Sequence, residues 1–202
     1  MPLVELPGMR PVRMGEMDAE LTRRPDGSLH VRSKYALGPH PRSMIDCLDH
    51  WAAVAPDRVF LADRGPDGEW RRVTFAEARR KARAVAQFLI DKDLSADRPL
   101  MILSGNSVEH GLLALGAMTA GIPFAPVSPA YSLVSTDHSK LKYLVGLLTP
   151  GMIFAAEGSV YEKALSAIMA PGMDLVVARD PAPGMDHTPF DAVLATSPGG
   201  AV

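Results

Sequence analysis

Several short stretches carry residue types that could do chemistry. Cys47 and His50 lie three apart with Asp46 and Asp49 beside them, a spacing that could pair a thiol with a base or begin a metal site. A zinc site takes more Cys or His ligands than this, and no second cluster follows, so the segment reads as a plain helix and no metal site is expected. Arg79, Arg80, Lys81 and Arg83 could touch a phosphate, although a solvated helical face is the simpler reading. Ser104-Gly105-Asn106-Ser107 sits where a strand turns into a helix, a place that favours anions, but it lacks the Lys and spacing of a Walker loop. The loop Val127-Ser128-Pro129-Ala130-Tyr131-Ser132 offers three hydroxyls and a stacking ring. His138 and Lys140 could approach an anion, with surface solvation as the default. No residue has a claim to be catalytic.

These groups must be held by a scaffold, and the sequence specifies one. From Gly111 to Thr136 there is no charged residue, yet Gly121, Pro123, Pro126 and Pro129 interrupt the run. A membrane helix needs ~20 continuous apolar residues, so the run reads instead as a buried helix over 108–120, a stop at Gly121 and a buried strand over 122–125. Gly111, Ala114, Gly116 and Ala117 keep that helix thin enough to lie close to a sheet. Short apolar runs at 99–103, 152–155 and 175–178 read as buried strands, separated by helical patterns that open after Ser107, near Asp137 and at Val160. Crossovers of that length imply a mainly parallel sheet flanked by helices. The fold class expected is therefore α/β. Ahead of it, Thr74-Phe75-Ala76-Glu77 has the form of a capping box, and Ser43 that of an N-cap. Strands at 59–63 and 70–73 flank a turn, and a small hairpin forms around Pro25-Asp26-Gly27. The division expected is an extended arm over 1–41, an α/β unit over 42–180, and a Pro/Gly-rich tail over 181–202.

Lys plus Arg, 21, nearly balances Asp plus Glu, 23, so charge gives no case for nucleic acid or an anionic membrane. One cysteine excludes an internal disulfide framework, and the first residues show no apolar leader run, which together suggest a cytoplasmic protein.

VTFAEARRKARAVAQFL followed by LMILSGNSVEHGLLALGAMTAGIPFAPVSPAYS resembles the N-terminal region of the adenylate-forming acyl-CoA synthetases, and APVSPAYSLVSTDHSKL looks most like the feruloyl-CoA synthetase branch. The match runs from about Trp51 to Ala178. The resemblance implies an acid–thiol ligase that uses ATP, Mg2+ and CoA, with an aromatic or hydroxycinnamic acid such as ferulate as its small-molecule substrate. It also implies that Val127, Ser128, Pro129 and Tyr131 lie along the CoA nucleotide. The family's Ser/Thr/Gly-rich phosphate loop ending in Pro-Lys-Gly is absent, as are its later nucleotide motifs and the catalytic Lys of its C-terminal domain. Thr196-Ser197-Pro198-Gly199-Gly200 lacks the Lys. The expectation is a partial domain of a larger fold, inactive by itself and prone to self-association through a face or sheet edge left uncovered. The other reading is a stand-alone, non-catalytic α/β module that binds a nucleotide or a partner chain.

Overall fold

The computed structural model of the protein describes residues 18–200 and 202, in two units, Met1–Pro41 and Arg42–Val202. In the first unit, β1 (Ala19–Arg23) pairs antiparallel with β2 (Leu29–Ser33), with Leu21 opposite Val31. The Asp26 carboxylate accepts the Ser28 N–H at 2.9 Å, and Gly27 supplies the left-handed φ of 85° that the turn requires. The remainder of the expected arm, residues 1–17, lies outside the described residues.

The second unit begins with α1 (Met44–Val54), closed by a reciprocal Ser43–Asp46 capping box. A separate antiparallel pair, β3 (Val59–Arg64) and β4 (Trp70–Thr74), leads into α2 (Phe75–Asp91), where Thr74 and Glu77 form the expected box. The main sheet is five-stranded and wholly parallel, in the order β6-β5-β7-β8-β9. Its strands are β5 (Leu100–Leu103), β6 (Phe124–Pro126), β7 (Met152–Glu157), β8 (Asp174–Arg179) and β9 (Thr188–Pro189). Both of its edge strands are very short, which limits pairing with other chains.

Every residue of β5 and all but the last of β7 are buried, the unalternating pattern of a sheet covered on both faces. Leu100, Ile102, Met152, Phe154 and Val176 point to one core, with α1, α2, α3 (Val108–Ala120) and α7 (Phe190–Leu194). Met101, Leu103, Ile153, Ala155, Leu175 and Val177 point to the other, with α5 (Ser139–Leu148) and α6 (Gly158–Ile168). Ser107 caps α3 by accepting the His110 N–H, and Gly121 ends it at φ 70°.

Four expectations change. The strand placed at 122–125 begins at Phe124, because the Ile122 N–H still bonds the Ala117 carbonyl at the helix end. The loop after it folds into a short helix, α4 (Pro129–Leu133). The two glycines of α3 serve approach to α2 and to the β3–β4 pair, not to the five-stranded sheet. A Cβ on Gly116 would fall 2.3 Å from Val85 of α2, and one on Gly111 3.2 Å from Leu61 of β3. Within the Pro-rich last stretch, Thr188–Leu194 supplies the fifth strand and a helix whose Phe190 and Val193 are core.

Candidate functional site

In a parallel sheet, ligands gather at the carboxyl ends of the strands, near the point where successive connections leave in opposite directions. Here the chain goes from β5 outward to β6 and then returns past β5 to β7, so that point lies between β5 and β7. The segment leaving β5 is tightly self-bonded. Buried Ser104 donates its hydroxyl to the Gly105 carbonyl at 2.6 Å, and His110 Nδ1 lies 3.1 Å from the same oxygen. At the ends of β7 and β8, which are in register, Glu157 pairs with Arg179.

A charged cluster fixes the β3–β4 hairpin to the start of α3. Arg71 donates Nη1 to Glu109 Oε1 at 2.6 Å, and donates Nε and Nη2 to Asp63 at 2.8 and 2.6 Å. Asp63 also accepts the Val108 N–H at 2.9 Å, which satisfies an N-terminal amide of the helix. Burial is the largest influence on the Glu109 carboxyl and acts to raise it, but the hydrogen bonds and charge of Arg71, with bonds from its own helix start and Ser107, together outweigh burial and hold Glu109 below its usual range. Asp63 shows the same balance and is likewise lowered.

The residues expected along a nucleotide occupy the exit of β6, where their roles divide. Val127 is buried in the core with Met101 and Leu103, and its N–H extends the ladder to the Ile102 carbonyl at 3.0 Å. Its side chain is therefore a packing group. Ser128 is exposed at the N-cap of α4 and makes no side-chain capping bond, and Pro129 takes the first turn. Tyr131 is half-buried against the same core, with Lys140 Nζ 5.3 Å from its ring centre.

Beside them, α4, the 134–138 turn and the first turns of α6 enclose a cleft of about 500 Å3, lined among others by Ser132, Val134, His138, Ser159, Val160 and Lys163. Two features mark it. His138 was expected at the surface; it is buried and holds a left-handed φ of 52°, a conformation that costs a non-glycine residue. The Ser132 hydroxyl is buried without a hydrogen-bond partner among the described residues. An unpaired buried hydroxyl costs about 1–3 kcal/mol. Ser132→Ala is therefore expected to raise stability by about 1 kcal/mol, read as an upward shift of the urea midpoint, whereas a destabilised variant would show that the hydroxyl is satisfied. The Ser128-Pro129 pair, a helix-start signature, was the sequence signal for α4 and hence for this cleft.

Among the described residues no group of three or more His, Cys, Asp or Glu side chains is placed to hold a metal ion, and no helix is long and apolar enough to cross a membrane. Cys47 is half-buried, and His50 packs edge-on against Trp51 at 5.2 Å between ring centres.

The comparisons with known proteins agree with this architecture. A probable nonribosomal peptide synthetase of Salinispora arenicola (strain CNS-205), CymA, is 25% identical over 171 residues, which cover 83% of this chain and 2% of that protein. Tyrocidine synthase 1 of Brevibacillus parabrevis is 28% identical over 102 residues, covering 50% of this chain and 9% of that one. An acyl-CoA synthetase of Brucella canis superposes with a TM-score of 0.61 at 20% identity, over 77% of this chain and 27% of that chain, a likeness of fold. The chain thus spans a small part of each of these relatives. The family model for AMP-binding enzymes matches residues 48–198, from the middle of α1 through β9 and α7, so the chain belongs to the AMP-binding enzyme family.

Proposed function

We propose that this chain is the N-terminal part of the adenylating domain of an AMP-forming acid–CoA ligase acting on an aromatic or hydroxycinnamic acid such as ferulate. The family match over residues 48–198 carries the adenylate-forming part of this reading, and the APVSPAYSLVSTDHSKL resemblance supports the branch. In the two half-reactions, the acid's carboxylate displaces pyrophosphate from ATP to give an acyl-adenylate, and the CoA thiol then displaces AMP.

The contribution of these residues is binding. CoA would lie along the backbone at Val127 and Pro129, with the Ser128 hydroxyl donating to it and the Tyr131 ring packing on it. The neighbouring cleft would extend that path, with Lys163 as its cation. With no Pro-Lys-Gly phosphate loop in the sequence, the positive charge that phosphoryl transfer requires must come from further polypeptide.

Titration calorimetry of the purified chain with CoA tests this reading. Saturable binding weakened about tenfold by Tyr131→Ala is expected, the scale of a lost stacking contact, with no ferulate-dependent thioester formed from ATP and CoA. Thioester formation by the 202 residues would overturn the binding-only role, and CoA affinity indifferent to Tyr131→Ala and Ser128→Ala would overturn the placement.

A further inference from the structure

The basic stripe of α2 is not simply a solvated face. Ala76, Arg79, Arg80 and Arg83 lie on one side of the helix and line a cleft of about 570 Å3 with Asp49, Ala52 and Ala53 of α1, and with Pro198 beside it. Alanine methyls line the groove between the helices, and three guanidiniums face a single carboxylate. Asp49 takes only the Nε edge of Arg79, at 2.6 Å. Arg83 Nη2 donates to the main-chain oxygen of Val202 at 2.6 Å, the chain's last residue, and so meets no side-chain carboxylate. Arg80 makes no hydrogen bond or ion pair with the described residues and feels only the longer-range attraction of Glu77.

Like charges one turn apart on a helix repel, and among the described residues Asp49 is the one side-chain carboxylate lining the groove against three guanidiniums. A monocarboxylate would engage one fork, as Asp49 already does. Phosphoryl groups present more oxygens in a geometry that several guanidiniums can share. Arg79 and Arg83 are separated by about 6 Å of helical rise, a span suited to adjacent phosphoryl groups of a chain. We propose that this α1–α2 groove is an oligophosphate-binding site, separate from the cleft at the exit of β6.

Calorimetry of the full chain with sodium tripolyphosphate, at about 0.1 M salt to screen loose surface attraction, should give saturable one-to-one binding. Arg80→Gln and Arg83→Gln should each weaken it about tenfold, the scale of a lost charge-assisted hydrogen bond. Arg72→Gln on β4 should leave it unchanged, with far-UV circular dichroism checking that each variant is folded. Absence of saturable binding, binding that survives the double Arg80→Gln, Arg83→Gln change, or tighter binding of an acidic peptide than of tripolyphosphate would each overturn the assignment. Loss of binding in Lys163→Gln alone would place the anion in the β6 cleft and overturn it too.

Discussion

Gly116→Ala is expected to destabilise the protein, while the same change at Gly146 stabilises it. Both glycines sit inside helices, where alanine gains up to about 1 kcal/mol of intrinsic preference. At Gly146, on the exposed side of α5, a Cβ meets nothing within 4 Å, so that gain is realised. At Gly116 the new atom would stand 2.3 Å from Val85 Cγ1, 2.5 Å from Val85 Cβ and 3.1 Å from the Ala82 carbonyl oxygen. Val85 is fully buried and β-branched, so in a helix it has one favoured rotamer and cannot turn aside. Relief requires α2 and α3 to separate, at the 1–3 kcal/mol or so typical of overpacking. The net loss for Gly116→Ala is then about 1–2 kcal/mol, and Gly116→Val, with two further methyls, should lose about 3 or more. Urea unfolding reads all three changes. Adding Val85→Ala should make Gly116→Ala nearly harmless, because the pair share one space. A Gly116→Ala protein as stable as the parent, or one unaffected by Val85→Ala, would show that the two helices are not in the contact described.

That contact also marks a boundary of what the sequence makes legible. The smallness of Gly111 and Gly116 was visible, but not which surface they approach, because α2 and α3 meet only through the packing of the whole unit. Local signals fared better. The caps at Ser43 and Ser107, the box at Thr74 and the Gly121 stop each depend on residues within one turn, and each stands where expected. The buried runs of β5, β7 and β8 were legible because both faces of a parallel strand are apolar. At the candidate site the hydroxyl-rich stretch read as a loop, whereas Pro129–Leu133 forms the short helix α4. The burial of His138 and the isolation of the Ser132 oxygen were not legible, since both arise from α6 closing over α4. The Arg71–Glu109 pair joins residues 38 apart, which no local pattern encodes.

Removing Arg71 is expected to destabilise the fold and to reverse its response to acid. Glu109 has only 10% of its side chain exposed and Asp63 20%, and among the described residues Arg71 is the cation bonded to both. Breaking a buried pair costs about 3–5 kcal/mol, and Arg71 is itself 41% exposed, so solvent screening lowers the expected loss for Arg71→Ala to about 2–3 kcal/mol. Glu109→Gln keeps an acceptor for Arg71 and leaves Asp63 paired, so it should lose about 1 kcal/mol. In the parent, Asp63 and Glu109 both have folded-state values below their ordinary 3.8 and 4.5. Their contribution is therefore fully present above those ordinary values and fades as pH falls through the lowered ones. Without Arg71, burial and mutual repulsion, which both raise a carboxyl pKa, are opposed only by the Val108 N–H and the charge of Arg179 at Asp63 and by the helix-start bonds at Glu109, and burial is the largest influence on each. These two sites then bind more protons in the folded protein than in the unfolded chain, so Arg71→Ala should gain stability relative to the parent on going from pH 7 toward pH 5, a range in which the same two groups add no slope in the parent. Urea midpoints measured across that range decide the matter. A variant that merely loses stability by the same amount at every pH would mean that Arg71 acts through packing, and that the clamp on the start of α3 is not electrostatic.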